Sequence, residues 1–467
     1  MDSVTSLLHP PVPPRPARPL SLPGFLRAVR TNALTIWPAA AYEQDSTVRG
    51  FLGRTSVLLN APAAIHHVLV GNPGNYRRSP ATIRILRPIT GEGLLLSEGE
   101  TWKLQRRTIA PALAPRVMPM LAGHVVTATE AAFDRLDAGR LDARPRASAG
   151  PPIDLLATMQ RLALDIAARS MFSFEMDQHG AAMRRLLTEF AEHYAQPHLF
   201  DMLLPPRIPT LRDLGRARFK RRWMALIETV IASRLRAPVP DKPRDLFDLL
   251  RSARDPDTGA GFSATQLRDQ VATLILAGHE TTAVTLFWAV IMLAQAPEEQ
   301  RRVAQEAAAQ TIEPGTAHAI MPALVHARAV VNETLRLFPP AFTIVRQAIA
   351  PDRAGDVDLP AGALVMIAPW VLHRHHALWR EPDAFDPSRF LPDAPPPPRF
   401  AFLPFGAGPR VCVGAQFAMT EAVLVLASLI RRFQVVREGA RPVLPVAIVT
   451  TQPDHPAQVR LMPRCQD

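Results

Sequence analysis

Apolar residues recur at helical spacing through most of the chain, and this pattern predicts a mainly α protein. Before residue 255 the spacing predicts five substantial helices, over residues 117–136, 153–172, 181–194, 219–236 and 245–253. Short strand-like runs at 55–59, 341–349 and 363–368 predict a minor β portion. Because the runs differ in length and show no repeat, neither a solenoid nor a regular βα repeat fits. We therefore expect one large helical domain with a few small strands.

The longest helical run spans about residues 263–295, and from residue 271 to residue 296 it is almost wholly apolar. On hydropathy alone this stretch could cross a membrane. Near its middle, however, residues 279–282 read His-Glu-Thr-Thr, and burying these side chains in lipid would be costly. The pattern therefore favours a buried central helix with no membrane span. A membrane protein built around this run is the alternative.

The same helix carries the motif Ala-Gly-His-Glu-Thr-Thr at residues 277–282. Glycine weakens a helix interior by about 1 kcal/mol relative to alanine. Threonine hydroxyls can bond back to the preceding turn and bend the helix. Together these features predict a local kink with a widened turn.

Composition narrows the class of protein. Of the 467 residues, 48% are apolar and 20% are charged, which is typical of a globular chain. Prolines cluster in the first 20 residues, where no apolar core of signal-peptide length occurs. We therefore expect a semi-extended proline-rich arm over residues 1–40 and a domain over residues 41–467 of a soluble, cytoplasmic protein.

Charge and cysteine content bear on partners and compartment. The formal net charge is +11, but no basic helix or aromatic–basic repeat indicates nucleic-acid binding. A solvated basic surface and a surface that attracts an acidic partner both fit this charge. The two cysteines, Cys412 and Cys465, lie far apart, which argues against a disulfide framework and fits a reducing compartment.

A glycine-rich loop holds the first of these cysteines. Residues 405–414 read Phe-Gly-Ala-Gly-Pro-Arg-Val-Cys-Val-Gly, and an amphipathic run with helical spacing follows at once. Cys412 therefore stands where a tight loop enters a helix N-terminus. Free backbone N–H groups and the helix dipole favour a thiolate there. Such a thiolate is a metal ligand or a nucleophile, and the loop by itself leaves both open.

Two residue pairs share helix faces. Trp102 and Arg106 stand four apart in one predicted helix, and Glu333 and Arg336 stand three apart in another, over about residues 323–337. Taken alone, a buried Trp beside a surface Arg is commonplace. An isolated surface ion pair such as Glu333–Arg336 is worth only a few tenths of a kcal/mol.

In chain order these motifs resemble those of the cytochrome P450 family, the haem-thiolate monooxygenases. The cysteine loop matches the family pattern at Phe405, Gly406, Gly408, Arg410, Cys412 and Gly414. Further matches in the expected order are Trp-x-x-x-Arg (102–106), Ala-Gly-x-Glu-Thr-Thr (277–282), Glu-x-x-Arg (333–336) and Pro-x-x-Phe-x-Pro-x-Arg-Phe (382–390). The resemblance covers roughly residues 41–465 and implies that family's mainly α fold, a single domain around a buried haem b.

The resemblance also implies a cofactor site. Its haem iron takes the Cys412 thiolate as axial ligand, which favours a metal ligand over a nucleophile. The loop residues that admit the porphyrin and shield the sulfur are Phe405, Gly406, Gly408 and Gly414. The implied partners of the haem propionates are Arg410, Trp102, Arg106 and Arg346. A buried ion-paired network behind the loop consists of Glu333, Arg336 and Arg389.

On the other side of the haem the resemblance implies an acid–alcohol pair, Glu280 and Thr281, that delivers protons during activation of O2. Ala277 faces the haem with Thr281, and Gly278 leaves room for the oxygen molecule. The implied lining of a lipophilic substrate pocket is Ile83, Ile85, Leu86, Leu274 and Phe342. The first three belong to an apolar stretch that we expect to be a loop.

The implied activity is a monooxygenase that hydroxylates or epoxidises a lipophilic small molecule. No flavin or iron–sulfur domain follows Cys412, so electrons are expected from a separate ferredoxin or flavodoxin with its reductase. Such a donor would dock on a basic face formed by Lys103, Arg107, Arg431 and Arg432. The alternatives are a peroxygenase that uses H2O2 and a non-catalytic haem-binding sensor. We expect a monomer.

Overall fold

The computed structural model of the protein describes residues 7–51, 53–141, 150–173, 179–205, 207–236, 238 and 240–464. Residues 1–6 of the predicted arm and Cys465 lie outside these ranges. The described α-helices are α1 Leu22–Thr31, α2 Pro62–His66, α3 Pro80–Thr90, α4 Gly99–Ile109, α5 Met118–Leu141, α6 Leu155–Phe172, α7 Gly180–Glu189, α8 Leu199–Leu203, α9 Leu211–Leu235, α10 Leu246–Ser252, α11 Ala264–Gln295, α12 Pro297–Ala308, α13 Val325–Leu337, α14 Pro369–Leu372 and α15 Ala415–Arg432. The predicted long central helix and the predicted Glu-x-x-Arg helix are thus confirmed to within about two residues.

Small sheets flank the helices. The strands are β1 Ser46–Phe51, β2 Arg54–Leu59, β3 Tyr76–Arg78, β4 Ile153–Asp154, β5 Ile344–Ala348, β6 Asp352–Ala354, β7 Val357–Leu359, β8 Leu364–Ile367, β9 Phe433–Arg437, β10 Pro445–Ala447, β11 Thr451–Pro453 and β12 Gln458–Pro463. In the part of the chain described, the largest sheet has the order β1-β2-β8-β5-β3, in which only β2 and β8 run parallel. The sheet brings β3 and β5, which are far apart in sequence, to one edge.

Helix α11 runs through the core of the domain. Its first turn is closed by a capping box, in which Ser263 Oγ accepts from Gln266 N at 3.2 Å and Gln266 Oε1 accepts from Ser263 N at 2.9 Å. The helix packs against α6, α15 and α13, and this explains why it is apolar on all sides. Taken singly, it is the one described helix long and apolar enough for a membrane span, and 67% of that apolar window is buried within the domain.

The predicted widened turn in α11 is wrong, because the helix is continuous over Ala264–Gln295. The threonines do bond back, as expected: Thr281 Oγ1 donates to Ala277 O at 2.6 Å, and Thr285 Oγ1 donates to Thr281 O at 2.8 Å. A carbonyl oxygen has two lone pairs, so it can accept the hydroxyl and still accept its helical N–H. The back-bonding threonines therefore do not interrupt the helix.

The N-terminal segment lies against the domain from residue 7 onward. Phe385 N donates to Leu8 O at 2.7 Å, and Arg15 Nη2 reaches both carboxylate oxygens of Asp383 at 2.6 and 2.8 Å. The predicted semi-extended arm is wrong over Leu22–Thr31, which forms α1 with Ala28 in the core. Ser21 caps this helix and a proline lies in its first turn. Together they are a helix start signal, which the prediction of a semi-extended arm did not take into account.

The apolar stretch expected to be a loop is also helical. Residues Pro80–Thr90 form α3, with Thr82 N donating to Ser79 Oγ at 3.2 Å and Pro80 in the first turn. Ser79-Pro80 is therefore a second N-terminal signal that the apolar composition masked. The change matters for function, because neighbouring residues of a helix point in different directions.

Candidate functional site

A cavity of about 1000 Å³ lies between α11 and the loop that holds Cys412. This size is at the upper end of the range for ligand cavities, roughly 300–1,000 Å³. Segments that are distant in sequence meet at its wall, including α1, α3, α4, α11, β5 and the start of α15. Most of the predicted site residues face this cavity.

The cysteine loop is fixed by its glycines. Gly406 and Gly408 have φ values of 72° and 71°, in the left-handed region that favours glycine. A Cβ on Gly408 would lie 1.9 Å from Leu69 O, so this position also demands close backbone approach. Gly414, by contrast, has φ −93° and open space around it. Cys412 N donates to Phe405 O at 2.9 Å, and Cys412 lines the cavity.

The environment of Cys412 decides which chemistry suits it. Its accessible surface faces the cavity, while protein atoms surround it on the other sides, and this burial raises the pKa of the Cys412 thiol. The backbone N–H of Gly414 and the charge of Arg106 act in the opposite direction but are weaker. Burial thus outweighs the helix start in its effect on the pKa of Cys412. A bound metal would deprotonate such a thiol.

Among the described residues no group of three or more His, Cys, Asp or Glu side chains could hold a bare metal ion. Cys412 is thus a solitary ligand. A solitary protein ligand fits a metal that brings its other ligands with it, as the iron of a porphyrin does.

One part of the cavity wall carries an excess of positive charge. Arg78 and Arg346 are directly opposite each other on the antiparallel strands β3 and β5, an arrangement that is destabilising without a counter-charge. Burial, with Arg410 adding positive charge, lowers the pKa of Arg78 to about 9 and that of Arg346 to about 10. Glu98 is the facing carboxylate: it accepts from Arg410, and its Oε1 lies 4.0 Å from Arg78 Nε.

With Arg106, which lines the same region, four guanidinium groups outnumber the one carboxylate, so this wall carries an excess of positive charge. The buried Nε of Arg78 also lacks a hydrogen-bond partner. A ligand with two carboxylates fits both observations. Arg346 and Arg410 were predicted for this role and Arg78 was not. The basic pair Arg77-Arg78 is visible in the sequence, but its opposition to Arg346 depends on strand pairing.

Trp102 and Arg106 line the same region from α4. The guanidinium carbon of Arg410 lies 4.4 Å from the ring centroid of Trp102, a cation–π contact that orients Arg410. Arg106 Nη1 donates to Val411 O at 2.9 Å, next to Cys412. The structure therefore brings both residues to the predicted site, where they also hold the cysteine loop.

The structure separates the predicted acid–alcohol pair. Ala277, Gly278 and Thr281 line the cavity, and Thr281 uses its proton on Ala277 O, which leaves its lone pairs available. Glu280 is not among the lining residues. It bonds instead to β11 and the preceding turn, where Thr450 Oγ1 donates to Glu280 Oε1 at 3.1 Å and Gln452 Nε2 donates to the same oxygen. No motif pointed to Thr450 or Gln452.

A second acid near the cavity was also missed. Glu421 on α15 is buried and lines the cavity, with Thr282 Oγ1 3.4 Å from its Oε2. Its other oxygen, Oε1, is buried without a partner. Burial raises the pKa of Glu421 to about 8, so its carboxyl is mostly protonated at neutral pH. The available signal was an acidic residue among the apolar positions of the helix after Cys412.

The predicted substrate-pocket residues are mostly placed as expected. Ile85, Leu86, Leu274 and Phe342 line the cavity, whereas Ile83 does not. The difference follows from the helical conformation of α3, in which Ile83 and Ile85 are about 200° apart around the helix axis.

The predicted network behind the cysteine loop is present and completely buried at its centre. Arg336 donates from Nε and Nη2 to the two carboxylate oxygens of Glu333, each at 2.7 Å. Its guanidinium also donates to Pro382 O at 2.6 Å and Ala384 O at 2.7 Å. Arg389 Nε lies 3.5 Å from Glu333 Oε1. The network thus ties α13 to the segment that leads into the loop.

Comparison with known proteins identifies the family. The family described as Cytochrome P450 matches residues 15–459, nearly the whole chain. The chain belongs to the cytochrome P450 family. The match begins well before residue 41, in agreement with the packing of the N-terminal segment on the P450 domain.

Curated relatives and solved structures agree with this assignment. Cyclooctatin synthase of Streptomyces melanosporofaciens is 33% identical over 377 residues, which cover 80% of this P450 and 79% of that protein. Cyclooctat-9-en-7-ol 5-monooxygenase of the same organism is 30% identical over 350 residues, or 74% and 73% of the two chains. The crystal structure of the cytochrome P450DA haem domain superimposes with a TM-score of 0.79 at 22% identity, over 98% of this chain and 99% of that one, which shows the shared fold.

The P450 is therefore a monooxygenase that uses haem and O2. When bound, haem supplies the iron at which O2 is activated. The residues present fit it: Cys412 offers one ligand sulfur, and Arg78, Arg346 and Arg410 offer charge for two carboxylates. The cavity that these residues share is otherwise lined mainly by apolar side chains.

Three cations of the predicted basic docking face form ion pairs within the chain, so their charge is partly compensated, and the docking role stays a prediction. Arg432 lies among Asp134, Asp137 and Glu130. Arg107 pairs with Asp255, with 2.9 Å between Arg107 Nε and Asp255 Oδ2. Lys103 pairs with Glu100, with an N–O distance of 2.7 Å, and Arg431 Nη1 donates to Gln310 O at 3.3 Å. Sequence position alone could not show these acidic neighbours.

Proposed function

We propose that this P450 hydroxylates or epoxidises a lipophilic small molecule of terpenoid size, with haem b as its cofactor. The observation that carries the proposal is that Cys412 and Thr281 face one large cavity whose remaining lining is mainly apolar. Its two Streptomyces melanosporofaciens relatives, cyclooctatin synthase and cyclooctat-9-en-7-ol 5-monooxygenase, support an apolar substrate of that size.

The chain's own residues divide the work. Arg78, Arg346 and Arg410 bind and orient the cofactor carboxylates, and Cys412 fixes the iron. Apolar side chains such as Leu86 and Phe342 exclude water and hold the substrate. Thr281 accepts a hydrogen bond on the cavity side, and its neighbour Glu280 exchanges protons with solvent and the cavity.

Two further features are proposed. A separate ferredoxin or flavodoxin, with its reductase, supplies the electrons, and the net charge of +11 supports an acidic partner of this kind. The protein acts as a cytoplasmic monomer. Reduction rates that do not change with ionic strength would remove the electrostatic part of this proposal.

The test is spectroscopic and then catalytic. The reduced protein with carbon monoxide should give the absorption band of thiolate-ligated haem, and Cys412→Ser should abolish the band while the control Cys465→Ser keeps it. A panel of terpenoids, fatty acids and aromatics should then be screened for substrate-induced spin shifts and for products with O2 and a surrogate reductase chain. We expect terpenoids to give shifts and oxygenated products. Shifts confined to fatty acids or small aromatics would contradict the proposed substrate class.

A further inference from the structure

The turn between β10 and β11 touches two functional regions at once. Ile448 and Val449 line the cavity. The residues that follow reach α11: Thr450 Oγ1 donates to Glu280 Oε1 at 3.1 Å, and Gln452 Nε2 donates to the same oxygen. Gln452 Nε2 also lies 3.4 Å from Thr450 Oγ1, so the three side chains form one cluster. Residues 448–452 therefore connect the cavity surface to the acid.

The base of this turn is fixed to the core. Thr451 Oγ1 donates to Pro339 O at 2.7 Å, and Trp288 Nε1 of α11 donates to Thr451 O at 2.8 Å. Asp454 N donates to Leu444 O at 2.8 Å and closes the hairpin. With its base held, the turn has a defined position relative to α11. Displacement of Val449 by a bound molecule then acts first on the adjacent Thr450.

Both donors meet the same carboxylate oxygen. They therefore orient the Glu280 carboxyl and leave Oε2 as the oxygen that can release or take up a proton. Because Glu280 is not among the residues that line the cavity, its orientation determines whether this oxygen can serve Thr281. A general acid can act only if it lies within about hydrogen-bond distance of the group that takes up its proton.

We infer that Thr450 and Gln452 are positioning residues for Glu280, and that contact between a substrate and Val449 influences the position of that carboxyl. The inference rests on the proposed function. The step concerned is a proton transfer: the Glu280 carboxyl releases a proton from Oε2 toward the cavity and is reprotonated from solvent. Substrate occupancy and proton delivery are thereby linked through one short segment.

The first test removes the donors without changing side-chain size. In Thr450→Val/Gln452→Met, with a surrogate reductase chain, the fraction of electrons recovered as product should fall roughly tenfold, less than the 10²–10⁴-fold contribution of a general acid because Glu280 itself remains. The solvent kinetic isotope effect should rise. Thr450→Ser keeps the hydroxyl and should retain both values. An unchanged isotope effect and product yield in the double variant would overturn the inference, and the two single variants replace it if the double variant does not retain haem.

The second test uses a matched pair of cavity residues. Val449→Ala and Val29→Ala remove the same atoms from the cavity lining, but Val29 lies on α1 and only Val449 adjoins Thr450. Both variants should weaken substrate binding in spin-shift titrations. Only Val449→Ala should also change the isotope effect and the product yield per electron. Equal changes in both variants would show that the turn has no special link to Glu280.

A control separates this inference from the proposed function. Turnover supported by hydrogen peroxide brings in oxygen that is already reduced and protonated, so it depends less on Glu280. The donor variants should keep the spectrum of thiolate-ligated haem and peroxide-supported product formation. A wild-type protein that shows neither the spectrum of thiolate-ligated haem nor peroxide-supported product formation would refute the proposed function. Donor variants that keep both, with an unchanged isotope effect and product yield per electron, would refute the positioning role alone.

Discussion

The two sides of the cavity are built in different ways. The sulfur side, which comprises residues 405–414 with Arg78, Arg346 and the Glu333–Arg336 pair, is braced by a buried network and by hydrogen bonds to the loop, such as that from Arg106 Nη1 to Val411 O. Arg336 alone makes five hydrogen bonds. The oxygen side, which comprises residues 277–282 with the turn 448–452, rests on few contacts, and Glu280 is held by two side chains of one turn. A metal ligand must stay in place, whereas a proton donor must be able to reorient. The number of contacts on each side agrees with this difference.

Removing a buried charge should break the sulfur side most severely. Arg336→Met leaves the buried Glu333 with only Arg389, 3.5 Å away, as a counter-charge. We therefore expect a loss of about 3–5 kcal/mol in the free energy of unfolding together with poor haem retention. Denaturant unfolding and the haem content of the purified protein would measure this. The matched control is Arg301→Met, which breaks the exposed pair with Glu298 and should cost less than about 1 kcal/mol. An Arg336→Met protein with wild-type stability would show that the network is dispensable.

The two glycines of the cysteine loop offer a sharper comparison. Gly408→Ala combines a left-handed backbone with a clash against Leu69 O, and strain of this kind costs about 1–3 kcal/mol before the clash is counted. Gly414→Ala meets no atom within 4 Å and has negative φ, so it should change stability by about 0.5 kcal/mol or less. Thermal unfolding and the carbon monoxide spectrum of both variants provide the measurement. Similar losses of stability in both variants would show that the positive φ and close packing of Gly408 are not what the loop requires.

Glu421 predicts a dependence of stability on pH. Its folded-state pKa is raised from about 4.5 to about 8, so between these values the folded protein holds a proton that the unfolded chain releases. The stabilisation that comes from this proton on Glu421 is complete below about pH 4.5 and is lost as pH rises through about 8. Glu421→Gln should flatten this part of the pH profile, by up to about 5 kcal/mol across the window. The exposed Glu313→Gln should leave the profile unchanged. A wild-type profile that rises through this range, with no change in Glu421→Gln, would disprove the assignment.

On the oxygen side the effect should appear in catalysis and not in stability. Thr281→Val removes a hydroxyl that faces the cavity, and we expect roughly tenfold less product per electron, equivalent to about 1.4 kcal/mol. The carbon monoxide spectrum and the thermal midpoint should stay close to those of the wild type. The control Thr108→Val removes a hydroxyl that bonds back to Leu104 O in α4, outside the cavity lining. An equal loss of yield in both variants would assign the effect to the loss of a helix hydroxyl in general and not to Thr281.

The sequence predicted the sulfur side better than the oxygen side, for a physical reason. Cys412, Gly408 and Arg410 lie within one short motif that the sequence shows directly, although Gly408 also approaches Leu69 and Arg410 also contacts Trp102. Glu333 and Arg336 are one helical turn apart, so their pairing also follows from local structure. These residues can be recognised without knowledge of the fold.

The residues that were missed depend on tertiary contacts. Arg78 gains its role because β3 pairs with β5, and Thr450 and Gln452 gain theirs because a hairpin near residue 450 reaches the middle of α11. The prediction that Ile83 lines the cavity was wrong because the stretch after Ser79-Pro80 forms helix α3 and not a loop. The ion pairing of the predicted docking face could not be foreseen either, because acidic neighbours such as Asp134 and Asp137 come from another helix.

The contact between Arg15 and Asp383 has a consequence for how the chain is made. The two residues are 368 positions apart in sequence, and Asp383 lies in the segment that Arg336 also holds. At a synthesis rate of about 5–20 residues per second, Arg15 leaves the ribosome roughly 20–70 s before its partner exists. The contacts of the proline-rich segment with Asp383 and Phe385 therefore cannot form until most of the chain has been made. The segment that Arg336 holds is completed only then.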